Sequence, residues 1–505
     1  MISKYYTTPI FYVNDKPHIG HAYTTILCDF FARFSRLNGD NVFFSTGTDE
    51  HGQKIFEAAA KRGEETIDYV NEVSQLFFDM GKNLLATHNV FTRTTSEAHK
   101  NVALKIWQLI ENNGYIYPDK YSGWYAVRDE AFYTELEIEN GRSIASGAEV
   151  SWVEEPAYFF KLSTMTDKLL GFYDDNPNFI LPQTRYNEVK SFVKQGLHDI
   201  SISRSKVSWG IHLPNDKNQT IYVWLDALGS YLTSLGFASE NNAKYLEFWD
   251  NDKCSMEHVV GKDILRFHAV YWPAFLMAAD LPVPKKIIAH GWWTNEGQKI
   301  SKSLGNTIDV TKLINDFGTE YVRYFLLREM HIGNDGNFSS ENFINRINSE
   351  LADNIGNLVQ RTLSMAEIYN IEFSDLDIDN TFILKVYEIA ETAINTMISS
   401  YDTPLYIKQI LLIASIGNSY ITKMEPWNLA KKQQNQELIK VLTSTLELIK
   451  TIAIMLLPII PNSASKILNL LCIAEDRHNF ASITYKIKNC KIKSPSKPIF
   501  PKIVI

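Results

Sequence analysis

The chain has 505 residues, 45% of them hydrophobic, which is enough for two or three domains with sizeable cores. Its net charge is −8 with a pI near 5.9, so the overall field excludes a general polyanion binder, and any RNA partner has to meet local basic patches. The four cysteines (Cys28, Cys254, Cys472 and Cys490) are far apart with no C-x-x-C spacing, and they read as reduced thiols with neither a disulfide framework nor a zinc site.

Strand-like Tyr5-Tyr6-Thr7-Thr8-Pro9 and the β-favouring run Ile10-Phe11-Tyr12-Val13 come first, with no signal or Arg-rich presequence ahead of them, which predicts a cytoplasmic protein. They lead into His18-Ile19-Gly20-His21 at the start of a helical stretch. Two imidazoles and a glycine there can face a phosphate chain, because the free N–H groups of a helix N-terminus favour anions. Asn41-Val42-Phe43-Phe44-Ser45 reads as a buried strand running into Gly47-Thr48-Asp49-Glu50-His51-Gly52. Polar groups at the C-terminal end of a parallel strand mark the ligand edge of a doubly wound sheet. Residues 1–114 thus predict the first half of an α/β nucleotide-binding domain.

From 115 to 200 the texture turns aromatic and turn-rich (Trp124, Tyr125, Phe132, Tyr133, Trp152), which predicts an inserted lobe of β character. Strand signals return at Ile221-Tyr222-Val223-Trp224, His258-Val259-Val260-Gly261 and Lys286-Ile287-Ile288-Ala289-His290, so residues 201–338 predict the second half of the split domain. Within it, Lys299-Ile300-Ser301-Lys302-Ser303 places two ammonium groups on a loop that can close over a polyphosphate. Past Ser339, Ile344, Ile347, Leu351, Ile355, Leu358 and Leu363 recur every three or four residues, and similar stretches cover about 382–400, 405–424 and 436–457. Residues 339–480 therefore predict an all-α bundle, followed by a basic tail over 481–505. The apolar stretch 451–461 is broken by Pro458 and Pro461 and reads as core, not membrane.

The His-Ile-Gly-His and Lys-Ile-Ser-Lys-Ser strings, in this order, resemble the two signatures of class I aminoacyl-tRNA synthetases. Ile300 replaces the methionine of the second signature, an apolar swap. Within that class the chain is similar to methionyl-tRNA synthetases over nearly its whole length. The resemblance is carried by the opening from Thr8 to His21, by Thr46-Gly47-Thr48-Asp49-Glu50-His51-Gly52, by Tyr222-Val223-Trp224-Leu225-Asp226-Ala227, and by Gly261-Lys262-Asp263-Ile264 with His268 and Trp272-Pro273. It implies a Rossmann-like doubly wound parallel-sheet domain split by a connective lobe, followed by an α-helical anticodon-binding bundle. Isoleucyl, valyl and leucyl enzymes carry a much longer insertion.

The implied reaction activates L-methionine with ATP to methionyl-adenylate and pyrophosphate, then transfers methionine to the terminal ribose of tRNA(Met), initiator included, for translation initiation and elongation. By resemblance His18, His21, Lys299 and Lys302 are catalytic. ATP is held by Asn14, His18, Gly20, His21, Gly261, Asp263, His290, Gly291, Trp292, Trp293 and Lys302, and Mg²⁺ arrives with the nucleotide. Methionine is lined by Ile10, Phe11, Tyr12, Trp224, Ala227, Leu228, Tyr231, Ile264, His268 and Trp272, with Asp49 on its ammonium; aromatic walls suit an unbranched, polarizable thioether. Asn357, Arg361 and Trp427 are assigned to the anticodon, Trp427 as a stacking platform. Many relatives carry a zinc knuckle of C-x-x-C pairs, but Gly123-Trp124-Tyr125-Ala126-Val127-Arg128-Asp129-Glu130 has no cysteine, so no structural zinc is expected. A monomer is also expected. Two other classes share part of the pattern: a small-molecule adenylyltransferase, which lacks the bundle, and a non-catalytic tRNA-binding paralogue, against which the intact signature residues argue.

Overall fold

The computed structural model describes residues 2–129, 131–133, 135–300, 306–373, 378–485 and 490–504; Ser301, Lys302 and Ser303 lie outside the described residues. Strands β1 (Ser3–Thr7) and β2 (Phe11–Tyr12) run parallel along one side of β3 (Asn41–Asp49), with β4 (Val90–Arg93) along the other. Ser45 pairs with both Thr7 and Val90, and Thr48 with both Phe11 and Arg93, so β1 and β2 form one interrupted edge. Residues 8–10 make the interruption, and after β2 the chain turns into α1 (Ile19–Leu37). Helices α2 (Gln53–Arg62) and α3 (Thr66–Asn83) join β3 to β4, and α4 (Glu97–Asn112) follows.

An antiparallel lobe comes next: β5 (Ile116–Ala126), β6 (Ala131–Tyr133), a small hairpin of β7 (Ile138–Glu139) and β8 (Arg142–Ser143), and β9 (Ser151–Phe160). β5 and β9 pair from Ile116–Phe160 to Tyr125–Ser151. Cross-strand Trp124 and Trp152 meet edge to face at 5.4 Å, the kind of pair that stabilises a ribbon with little core of its own. The chain returns through α5 (Thr166–Asp175), β10 (Ile180–Leu181) and α6 (Gln183–Lys194). β11 (Ile200–Ser201) joins the lobe beside β9, and β12 (Ser203–Arg204) pairs with β13 (Thr220–Ile221). Then come α7 (Val223–Thr233), α8 (Ala243–Phe248), β14 (Cys254–Gly261), α9 (Trp272–Ala278) and β15 (Lys286–His290). β14 inserts between β1 and β15 and β10 takes the outer edge, giving a seven-stranded sheet whose pairs are all parallel.

Alternate strand residues feed two cores. Tyr6, Val259 and Ile288 pack with α1, α3 and the helical half, while Tyr5, Val260 and Ile287 pack with α4, α7 and α9. That two-sided burial explains why these strands read as apolar runs. Two stretches depart from the sequence pattern. Residues 166–194, expected as β, form two helices around β10, which belongs to the central sheet. Val223-Trp224 opens α7 instead of continuing a strand, since β-propensity is overridden by packing of Leu225, Leu228 and Leu232 into the core shared with α4.

The second half continues as α10 (Val310–Phe317), α11 (Thr319–Glu329), α12 (Ser340–Arg346), a π-helical segment (Ile347–Gly356) and α13 (Asn357–Ile368). The bundle is completed by α14 (Asn380–Ser400), α15 (Thr403–Met424), α16 (Pro426–Lys431), α17 (Asn435–Leu456) and α18 (Pro461–Leu470). Every residue of α17 from Val441 to Leu456 is buried, which accounts for the apolarity of this stretch without a membrane. Among the described residues no helix is long and apolar enough to cross one. The tail packs back on the bundle, with Phe500 buried and Asn348 exchanging two hydrogen bonds with Ile503. The expectation of four reduced thiols is corrected here: Cys472, just past α18, is disulfide-bonded to Cys490 in the tail, with Cα atoms 6.1 Å apart. Their spacing along the chain carries no such signal; the returning tail brings them together.

The two halves meet at Arg323 of α11, whose side chain is fully buried. Its guanidinium donates to the carbonyls of Leu84, Pro458 and Ile459 and lies 2.8 Å from the Asp29 carboxylate of α1. Replacing Arg323 by Leu leaves three carbonyls without their donor in a dry site and Asp29 with Arg33 as its remaining cation. The expected loss is about 3–5 kcal/mol, read as a lower urea midpoint, with Asp29→Asn less severe because it keeps a hydrogen-bonding group.

Candidate active site

The C-terminal ends of β1, β3, β14 and β15 open into one cavity of about 620 Å³. The loop after β1, the start of α1, Asp49 at the end of β3, α7, and the segments after β14 and β15 all contribute walls. This is where a doubly wound sheet places its ligands.

At one end His18 is the N-cap of α1. Its Nδ1 accepts the Gly20 N–H at 3.1 Å, and His21 Nδ1 accepts the His18 N–H at 3.2 Å, a capping box built from two imidazoles. The rings stack with centroids 3.8 Å apart. Because both Nδ1 atoms accept, each neutral ring carries its proton on Nε2. Burial lowers the pKa of both, and that of His21 falls well below the ordinary value with His18 adding to the effect. The helix end therefore offers neutral N–H donors to an anion. A Cβ on Gly20 would stand 2.9 Å from His18 Cε1, so a side chain there disrupts the cap. Exposed Lys299 lines the same cavity with its ammonium 5.4 Å from the Trp292 ring.

The opposite end is apolar. Ile10, Tyr12, Trp224, Ala227, Leu228, Tyr231, Ile264 and His268 line it, with Asp49 as its carboxylate, while Phe11, also expected there, stands beside His21 with ring centroids 5.1 Å apart. Trp224 lies flat on Phe267 at 3.7 Å, at the start of a π-helical turn over Phe267–Tyr271. His268 Nδ1 lies 3.0 Å from the Ile264 carbonyl, which only accepts, so Nδ1 bears the proton and Nε2 accepts from the Tyr231 hydroxyl at 2.6 Å. Burial lowers His268 to about 4, keeping it neutral. One expected lining residue is displaced: Trp272 is fully buried behind Tyr231, centroids 6.1 Å apart, and backs the wall instead of forming it.

Between the ends, Gly261, Asp263, His290, Gly291, Trp292 and Trp293 line the cavity. Asp263 Oδ1 accepts the Trp292 indole N–H at 3.2 Å, and Lys262 pairs with Asp335 at 2.6 Å while lying over Trp292. A Cβ on Gly291 would meet the Asn334 carbonyl at 2.0 Å, so only glycine fits. Asn14 is exposed in the turn before α1 and stands outside the lining, and Lys302 lies outside the described residues. Sequence reasoning missed Thr24, Lys54 and Asp129, all in the lining. Thr24 has a signal in retrospect, one turn beyond Gly20 on α1, with its hydroxyl 2.8 Å from His290 Nε2. Asp129 comes from the lobe's tip and accepts hydrogen bonds from the Tyr133 and Ser146 hydroxyls. The oxygen donors there do not fit a zinc knuckle. Among the described residues no group of three or more His, Cys, Asp or Glu side chains is placed to hold a metal.

Far along the bundle, exposed Asn357 and half-buried Arg361 stand one turn apart on α13, and the Arg361 guanidinium sits 5.9 Å from the ring of half-buried Trp427 on α16. The three expected base-reading residues thus share one surface.

A family profile described as class I tRNA synthetases (M) matches residues 4–140 and 135–363, and one described as the anticodon binding domain of methionyl tRNA ligase matches 400–503. The methionine–tRNA ligase of Rickettsia conorii is 48% identical, the match covering 99% of this chain and 98% of the relative, and that of Rhizobium meliloti is 43% identical with the same coverage. The structure superposes on Mycobacterium tuberculosis methionyl-tRNA synthetase in complex with methionyl-adenylate with a TM-score of 0.94 at 40% identity, covering 99% of this chain and all of that one. The apo form of the same protein gives 0.88.

Burial holds His21, His258, His268 and His290 neutral below the pH at which they protonate in the unfolded chain. The unfolded state then binds more protons, so stability is lost as pH falls from about 6.5 towards 4. Asp226, held at about 2, loses its contribution only below the ordinary carboxylate range and leaves this window to the imidazoles. His268 alone accounts for on the order of 3 kcal/mol, from a shift of 6.5 to about 4. Urea unfolding midpoints should drop steadily across this interval, and His268→Gln should flatten part of the slope.

Proposed function

The chain belongs to the methionyl-tRNA synthetases of class I, and on that premise we propose how its own residues carry the two-step charging of tRNA with methionine. The observation that supports the reading is a single cavity with neutral imidazole donors at a helix N-terminus at one end and an aromatic, carboxylate-bearing pocket at the other. ATP is a substrate, entering as its Mg²⁺ complex. The methionine carboxylate attacks the α-phosphorus, forming a P–O bond as the bond to pyrophosphate breaks. The terminal ribose hydroxyl of tRNA(Met) then attacks the acyl carbon, losing its proton and releasing AMP.

No side chain becomes covalent, so catalysis is positioning and charge stabilisation. Asp49 takes the substrate ammonium, and Trp224, Ala227, Leu228, Tyr231 and the neutral Tyr231–His268 pair surround the thioether. A neutral His268 avoids placing a cation beside an apolar substrate. His18 and His21 donate through Nε2 to the phosphates, Asp263 holds the ribose hydroxyls, and the backbone around Gly291 and Trp292 cradles adenine. Lys299 and Lys302 neutralise the departing pyrophosphate, the role of Lys302 resting on its place in the signature. Asn357, Arg361 and Trp427 read the anticodon, with the domain divisions at 114, 200, 338 and 480. We place the protein in the cytoplasm as a monomer, a state that light scattering at micromolar concentration tests directly.

Exchange of pyrophosphate into ATP should depend on methionine, and exchange that ignores methionine or is absent would reject the reading. Lys302→Ala should slow that exchange by roughly 10²–10³-fold with methionine affinity little changed, the scale of losing one preorganised donor to transition-state charge.

Trp427→Ala tests the other end. Losing a stacked base forfeits ~1–3 kcal/mol, roughly a tenfold to hundredfold drop in charging efficiency, with exchange measured without tRNA near wild type. Loss of exchange together with early melting would instead make Trp427 a packing residue.

A further inference from the structure

Asp226 lies on α7, yet on the face turned away from the cavity. It stands roughly 150° around the helix from the face shared by Trp224, Ala227, Leu228 and Tyr231, at about 100° per residue. It is fully buried and takes an imidazole on each oxygen: His51 Nδ1 at 2.7 Å on Oδ2 and His99 Nε2 at 2.6 Å on Oδ1. Burial by itself would raise its pKa, but the two imidazoles more than reverse this and hold it at about 2. The carboxylate is therefore ionised and only accepts, so both rings must donate to it, His51 through Nδ1–H and His99 through Nε2–H.

The three residues come from three separate elements. His51 follows Asp49 by two residues beyond β3, His99 is on α4, and Asp226 is in the first turn of α7. His99 also reaches the Thr233 hydroxyl at the far end of α7 at 2.9 Å, so one ring fixes both ends of that helix. On the other side, the His51 ring packs edge to face on Trp209, whose indole N–H donates to the Glu50 carbonyl at 2.6 Å. The end of β3 and the helix carrying the apolar wall are thereby tied to one buried charge.

We propose that His51, Asp226 and His99 form a positioning device that sets the gap between the Asp49 carboxylate and the apolar wall on α7, and so determines amino-acid affinity without touching the amino acid. This rests on the reading of that pocket as the methionine site. A group that only held the fold together would lower the amount of active enzyme, whereas a group that sets this gap changes the fit of one substrate and spares the other.

The test is ATP–pyrophosphate exchange on the full chain, with active sites counted by adenylate burst. Asp226→Asn and His99→Leu should each raise the KM for methionine at least tenfold, while kcat per active site and the KM for ATP stay within about threefold. His51→Asn and His99→Gln keep a donor near the lost ring nitrogen and should remain within about threefold of wild type for methionine. If Asp226→Asn cannot be recovered folded, His99→Leu against His99→Gln carries the same comparison. A methionine KM that stays at the wild-type value in Asp226→Asn and His99→Leu overturns the inference alone, as does an equal rise for both substrates or an equal penalty for donor-keeping and donor-lacking variants. Absence of methionine-dependent exchange in the wild type overturns the reading of the pocket, and the inference with it.

Discussion

Asp29, midway along α1, accepts the Thr87 N–H and hydroxyl at 2.7 Å each, Arg33 at 2.8 Å, and the Arg323 guanidinium at 2.8 Å. The same guanidinium holds the end of α3 through Leu84 and the turn after α17 through Pro458 and Ile459. Burying two charges is unfavourable unless every lone pair and proton finds a partner, and here the partners come from both halves of the molecule. The position of α1 is consequently not a local property. Its amino end carries the imidazole cap and its middle is fastened to the bundle, so the imidazole end of the cavity is registered against the bundle by one shared helix.

Charge is divided within the cavity in a way the fold enforces. The groups at the helix end are imidazoles whose pKa burial lowers, while the Lys299 ammonium is exposed. A neutral N–H donor can hold a phosphate oxygen in ground and transition states without drawing the product in too tightly. An exposed ammonium group can then meet charge as it develops on a leaving group. At the far end the same principle removes charge: His268, proton fixed on Nδ1 by the Ile264 carbonyl, turns a polar Tyr231–His268 pair into a satisfied, uncharged wall.

Much of this was legible because period and punctuation were strong. The run from Lys286 to His290 and the long helices of the bundle matched the structure closely, since buried parallel strands and amphipathic helices write their environment into the sequence, whereas of the run Ile10–Val13 only Phe11–Tyr12 is strand. What failed to show depended on distant chain. Ile180–Leu181 is too short to announce a strand, and its place at the sheet edge comes from β15. Val223-Trp224 has strand propensity yet is helical because α4 supplies the surface. Trp272 shares its apolar character with true lining residues, and composition does not distinguish a wall from the layer behind it. Asp129 enters the cavity only through the lobe's fold, and the Cys472–Cys490 bond only through the tail's return.

The lobe shows how such a hairpin is placed with oxygen ligands alone. Asp129 at its turn gathers the Tyr133 and Ser146 hydroxyls, and Ser143 accepts the Ser146 N–H at 3.3 Å. These bonds knit the tip to the neighbouring small hairpin, while the Trp124–Trp152 pair stiffens the ribbon behind it. Each is weak alone, about 1 kcal/mol for a typical hydrogen bond or aromatic pair, and none imposes the fixed tetrahedron that a metal would. The tip is therefore aimed at the cavity by several small terms. α1, by contrast, is fastened by the buried Asp29–Arg323 pair.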